Sequence, residues 1–312
     1  MLASVFNKSR PINYVIIAVT LVLFYIAYLL KAYSGIETGH VSLIFQKFGL
    51  LLLLVSGLFL LNFIAHKNRL SKDTTYAMLL FMVFLLLFPT VFVNTNSIIA
   101  NFFLLLALRR LISLQSLLTP KEKIFDASFW IFVATLFHFW SIAYIIMVFI
   151  AIIIHVAVDY RNWVIPFIAF FAVGILFAMA TLIINQDFFT HVVSEMRVSF
   201  DFTYFENIHQ NIALAFFASV TVLFLFAYLV FINGMPINLK IGHRQILLSF
   251  LIGVGIYVLS ADKNNSILVF TFAPLAIMGA NYLENQEKYW IKEVVLITIV
   301  LVALLLFILQ ML

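Results

Sequence analysis

Cysteine is absent from all 312 positions. That excludes disulfides, iron–sulfur clusters and thiolate zinc sites. Charge is scarce too: charged residues are 10% of the chain, against about 25% in a soluble domain. So few charges cannot cover a water-facing surface, and lipid must be the main solvent. Familiar signatures are missing. There is no P-loop, GxGxxG, HExxH or GxSxG, and no Arg-rich helix of the voltage-sensor kind. Few acids lie deep inside apolar runs, which argues against an ion-coupled transporter with a carboxylate relay. No inverted repeat, low-complexity tract or loop long enough for a soluble domain interrupts the chain.

What is present is apolar. Hydrophobic residues are 65% of the chain and include 36 phenylalanines, which fit a wide lipid-facing perimeter. The expected fold class is all-α: a polytopic membrane helical bundle, one integral-membrane domain over residues 1–312, with about eleven membrane segments. The net charge of +5 is no nucleic-acid signal, because its distribution along the chain follows membrane sidedness. The first apolar run, Val15 to Leu30, is followed by Lys31 instead of the small residues of a cleavage site. It reads as a retained first span.

Further spans are expected at about Val41–Ala65, Tyr76–Val93, Ile98–Ile112, Trp163–Ile184, Ile212–Phe231, Ile246–Ser260, Ser266–Tyr282 and Val294–Leu312. Pro89 is expected to kink or end the third, and NTNS at 94–97 to form an uncharged turn. Thr119-Pro120-Lys121-Glu122 carries a helix-start signal: Thr119 as cap, Pro120 in the first turn and Glu122 closing a capping box.

The stretch Ser128–Val158 has no charge apart from His138 and His155. As one helix it would run about 46 Å across a hydrocarbon core of about 30 Å. That needs a tilt of about 50°, beyond the usual range. A short hairpin over 120–158, turning at His138-Phe139-Trp140-Ser141, fits better. It also leaves only Lys31, Lys47, Arg197 and Lys263 on the outer side and every other Lys and Arg on the cytoplasmic side, as the positive-inside rule asks. A single span would flip everything after Val158. The hairpin thus predicts a cytoplasmic N-terminus.

Between 187 and 203, Phe188, Phe189, Val192, Val193, Met196 and Phe200 recur at helical spacing among polar residues. This predicts an amphipathic helix lying on the outer interface. Chemistry-bearing residues on that side are few. Glu37 and His40 share the first outer loop; Glu37 suits a general base for a hydroxyl acceptor, and equally a solvated loop acid. His138 is ionisable at membrane depth, hence a catalytic candidate, or a neutral histidine bonded to a backbone carbonyl at the turn. Arg197, Lys263 and His40 suit a phosphate. Arg197 alternatively bridges to Glu195 or Asp201, and Lys263 is alternatively solvated. His191 and Glu195 share a helix face but show no third metal ligand, so no metal is expected. On the other side, Arg109 and Arg110 read as snorkelling anchors or contacts for anionic lipid or a partner protein.

NKSRPINY, NFFLLLALRRLISL and IFDASFWIFVATLF together resemble a family of multi-pass inner-membrane proteins of Bacteroidota. The resemblance covers the whole chain and is most specific in the centre. It implies no established activity, and a setting beside enzymes of polyprenol-phosphate sugars. A more distant resemblance is to membrane glycosyltransferases of the GT-C type, which use polyprenyl-phosphate sugars. These stack short apolar helices ending in L-A-L-R-R-type boundaries and place a catalytic acid in the first outer loop, where this chain has Glu37. This chain has neither an adjacent acidic pair nor a soluble outer domain. The resemblance implies handling or transfer of a lipid-linked saccharide at the outer face, with membrane lipids and a polyprenyl phosphate as partners. The other expectation is a non-catalytic accessory subunit of an envelope-biogenesis, secretion or gliding complex, in contact with other inner-membrane proteins. No cofactor is identified.

Overall fold

A computed structural model describes residues 2–33, 41–183, 187–200, 207–261 and 263–311. Among them the secondary structure is helical apart from one isolated bridge, Val198 with Ser260. The helices are α1 (Leu2–Phe6), α2 (Pro11–Ala32), α3 (Val41–Lys67), α4 (Tyr76–Leu87), α5 (Thr95–Ser113), α6 (Pro120–Phe137) and α7 (Ile145–His155). They continue with α8 (Arg161–Ile183), α9 (Asp187–Glu195), α10 (Ile208–Asn233), α11 (Ile237–Leu259), α12 (Val269–Asn285) and α13 (Tyr289–Met311). Eight of these are long and apolar enough to cross a membrane. Helices α4 and α7 are shorter and are lengthened by 3₁₀ turns at Pro89–Phe92 and Phe139–Tyr144. Helix α6, with 18 residues, spans about 27 Å. The chain is an all-α membrane bundle.

Helix α12 is its axis. Of its most apolar window, 94% is buried, and every residue of neighbouring α4 is buried. A helix apolar on all sides is stable only in lipid or inside a bundle. These two take the inside. Phe84 of α4 meets Phe217 of α10 edge-on at 5.4 Å, and Phe88 stacks on Phe272 of α12 at 5.8 Å. Part of the phenylalanine content is therefore core. Phe45, Phe167 and Phe171 remain exposed on the perimeter.

Local signals set most helix ends. Pro89 opens the 3₁₀ turn that follows α4, where its missing N–H costs nothing. The expected turn at 94–97 is a helix start instead: the Asn94 side chain accepts from the Ser97 N–H at 3.0 Å and caps α5. Thr119 does precede α6, but the expected capping box is absent. Thr119 is held at φ 43°, and its side chain makes no capping hydrogen bond. The expected interfacial helix over 187–203 is also shorter. It ends at Glu195, because Val198 pairs with Ser260 in an antiparallel bridge that pulls the chain into extended form.

The hairpin forms where expected. His138 adopts extended backbone, φ −145° and ψ 106°, and ends α6. The chain then turns through Phe139–Tyr144 into α7. The start of α6 and the start of α8 meet through a salt bridge, Lys121 Nζ to Asp159 Oδ2 at 3.0 Å. Helix α7 must therefore return to the end from which α6 left. The Lys121 ammonium and the Arg161 N–H hold the Asp159 carboxyl below the usual carboxylate range. The contact is complete above the unfolded carboxylate pKa and is lost as pH falls through the lower folded-state value. Because native cysteine is absent, Lys121→Cys with Asp159→Cys gives a clean test. We expect a short bis-maleimide to join the two positions, and an impermeant maleimide to label both from one side of the membrane. Labelling from opposite sides would show α6 and α7 to be one crossing.

The bundle thus has two ends. At one, Ser9 N donates to Asp73 O at 3.0 Å and Ala3 N to Glu293 Oε2 at 3.0 Å. At the other, Gln310 Nε2 donates to Leu87 O at 3.1 Å, and Asn94 Nδ2 to Ser266 Oγ at 2.7 Å. His138 lies at this second end.

Candidate functional site

A polar cavity of about 240 Å³ opens at the His138 end. Four segments build it. Helix α5 contributes Asn94, Asn96 and Ser97 at its start, and the hairpin turn contributes His138. Glu195 enters from the end of α9, and Ser260 and Asn264 from the connection between α11 and α12. This size is just below the range of about 300 Å³ upward typical of drug-sized ligands, which leaves room for one small polar group.

The ionisable pair in the cavity is His138 with Glu195. The Nδ1 of the histidine lies 3.6 Å from Glu195 Oε2, and its ring lies 5.1 Å from that of Phe270. The same Oε2 accepts from the Phe139 N–H at 3.0 Å. Glu195 therefore caps the 3₁₀ turn Phe139–Tyr144, where a negative charge complements the exposed N–H groups. That is a structural use. The chemical one coexists with it, because a carboxylate beside an imidazole orients the ring. Asn94 and Asn264 are fixed in turn: Asn94 donates to Ser266 Oγ, and Asn264 Oδ1 accepts from the Ser266 N–H at 3.0 Å.

Beside this end lies an apolar groove of about 390 Å³ between α2 and α3. Ile26, Leu29, Leu30, Ile44, Phe48 and Leu51 line it. Lys47, also in its wall, sits 5.3 Å from the Tyr33 ring centre. Its neighbour Gln46 donates to Thr95 Oγ1 at 3.5 Å, and Thr95 sits between two residues of the polar cavity. Groove mouth and cavity thus share one end of the bundle.

A family profile covers residues 10–312, from the start of α2 through α13. The chain belongs to a family of unknown function, DUF6427. No curated protein and no solved structure matches it.

The expected site residues separate in this DUF6427 protein. His138 lines the cavity. Glu37, His40 and Asp201 lie outside the described residues, as does the side chain of His191. Glu195 lies beside His138. Among the described residues no group of three or more His, Cys, Asp or Glu could hold a metal. Arg197 is absent from the cavity wall; its carbonyl accepts from Trp140 Nε1 at 3.4 Å. Lys263 is buried, not solvated. Its ammonium donates to Ser199 O and lies 5.8 Å from the Phe200 ring centre, tying the 198–200 segment down. At the opposite end, Arg109 lies over Phe63 at 4.7 Å and Arg110 bridges to Asp126 Oδ2 at 2.8 Å.

Glu195, Asn94, Asn264 and Lys47 were not expected as a group. The two asparagines carried a visible signal, because NTNS at 94–97 and NNS at 264–266 are uncharged polar runs at span ends. Lys47 carried none beyond being one of few outer cations.

Proposed function

We propose that this membrane protein handles or transfers a saccharide linked to a polyprenyl phosphate. The observation that carries the reading is the pairing, at one end of the bundle, of a lipid-facing apolar groove with a cavity walled by amides, hydroxyls and a carboxylate–imidazole pair. The groove suits an isoprenoid chain, and Lys47 at its wall suits a phosphate. The cavity suits a ring bearing several hydroxyls. The charge distribution supports reading this end as the outer face of an inner membrane, with the N-terminus cytoplasmic.

In this reading an acceptor hydroxyl oxygen attacks the anomeric carbon. The bond from that carbon to the phosphate oxygen breaks, and the polyprenyl phosphate leaves with the electron pair, its charge met by Lys47. The hydroxyl proton passes to His138, whose ring Glu195 orients.

The test uses the full chain in nanodiscs with a polyprenyl phosphate, free and sugar-linked. Lys47→Ala is expected to weaken binding about tenfold, the worth of one charge-assisted hydrogen bond. Glu195→Gln is expected to leave binding intact and slow transfer by about 100-fold. Wild-type binding without transfer to any acceptor would leave the accessory-subunit reading. Retention of polyprenyl phosphate no better than phosphatidylcholine would remove the proposal.

A further inference from the structure

The opposite end of the bundle holds a second cavity, of about 540 Å³, that the proposed function does not use. We propose that it binds the phosphate headgroup of an anionic membrane lipid. Its wall gathers five cations: Lys67, Arg69, Arg109, Arg110 and Lys123. They come from three separate stretches, the end of α3 and its following turn, the end of α5, and the start of α6. Only folding brings them together.

Among the described residues, one of these five cations has a carboxylate contact within ion-pair distance. Asp126 takes one cation, through Arg110 at 2.8 Å. Lys67 and Arg109 both lie against the Phe63 ring, at 5.0 and 4.7 Å from its centre. Lys123 Nζ donates to Ser113 O at 2.8 Å and Ser116 Oγ at 2.6 Å; those contacts fix its place without cancelling its charge. Like charges held this close repel each other, and an anion among them removes that cost.

Backbone geometry supplies an independent observation. Among the described residues, three non-glycine residues have positive φ: Arg69 at 53°, Leu117 at 56° and Thr119 at 43°. Arg69 lines this cavity, and Leu117 and Thr119 flank Leu118, which lines it too. Left-handed backbone at non-glycine residues is unfavourable and gathers at ligand clamps. Here one such residue lines the cavity and the other two adjoin a residue that does.

The ligand is a lipid because the wall is not only basic. Phe63 and Leu118 are exposed, and Ile112 and Leu239 join them in the wall. The cavity also sits at the ends of membrane-crossing helices, the depth at which headgroups lie. The inference does not depend on the saccharide reading.

Native mass spectrometry of the full chain, with phosphatidylglycerol or phosphatidylcholine added, tests it. Phosphatidylglycerol is expected to bind more tightly by about tenfold or more. Arg69→Ala is expected to weaken it by about tenfold, and Arg69→Ala with Lys67→Ala by about 100-fold. Arg69→Lys keeps the charge and is expected to retain most of the binding. Unchanged phosphatidylglycerol affinity in the double variant overturns the proposal. So does equal binding of phosphatidylcholine, or competition by inorganic phosphate at the lipid's own concentration. Polyprenyl phosphate binding at the other end, read through Lys47→Ala, fails or holds separately.

Discussion

Gly279→Leu is expected to abolish the folded bundle. Gly279 lies in α12, and a Cβ there would sit 2.5 Å from Phe224 Cε2 and 2.6 Å from Leu80 Cδ1. Those atoms belong to α10 and α4. Both side chains are fully buried, so neither has space to yield. In lipid there is little hydrophobic drive between helices, and close approach at small residues carries the association. Even Gly279→Ala is expected to cost about 1–3 kcal/mol through overpacking. Leucine adds a branched side chain against the same two walls and must part α12 from its neighbours. Thermal size-exclusion in detergent is the measurement: a clearly lowered midpoint for alanine, and aggregation or no monomer for leucine. Gly255→Ala is the control. Nothing lies within 4 Å of its added Cβ, so it should be neutral or slightly stabilising. An unchanged midpoint for Gly279→Ala would mean that α12 is not wedged between α4 and α10.

Glu284→Ala is expected to be the most damaging loss of a polar group. The carboxylate lies near the C-terminal end of α12, where a negative charge opposes the helix dipole. Its donors explain why it is there. Oε2 accepts from the Lys72 N–H at 2.9 Å, and Oε1 from Thr74 Oγ1 at 2.5 Å. Lys72 Nζ reaches the Glu284 carbonyl and Asn285 Oδ1, each at 3.3 Å. One residue thus ties the connection between α3 and α4 to the central helix. Glu284 and Thr74 are both buried. Truncation leaves the Lys72 N–H and the Thr74 hydroxyl without their acceptor, at about 1–3 kcal/mol each. Glu284→Gln keeps an acceptor oxygen and should lose roughly half as much. Thr74→Val with Glu284→Ala completes a cycle in which the two losses are expected to overlap. Strict additivity would show that the contact contributes nothing.

Much of the fold was legible because the signals are local. A backbone in hydrocarbon must satisfy its own N–H and C=O groups, so long apolar runs had to be helices. Pro89 ended α4 by its missing N–H. The excess length of Ser128–Val158 over a bilayer forced a turn, and the chain does double back at His138. Where a local signal met a tertiary contact, the contact won. The amphipathic pattern ran past Glu195, but the bridge between Val198 and Ser260 ended the helix. Thr119 had the residue type of a cap, yet its left-handed backbone makes no such bond.

The candidate site was far less legible. His138 was visible as an ionisable group at membrane depth, but its partner Glu195 lies far along the chain. Lys263 was expected to hold a phosphate or to stand in solvent, and it proves buried against Ser199 and Phe200. Composition and hydropathy alone determined that this protein lives in lipid, roughly where its long helices lie, and where it folds back. Only the tertiary structure decided that α12 and α4 take the centre, that Glu195 faces His138, and that five cations share one cavity. The reason is that an apolar side chain is as well solvated by lipid as by a neighbouring helix. Periodicity can say that a residue is in the membrane; lateral packing alone says what it touches.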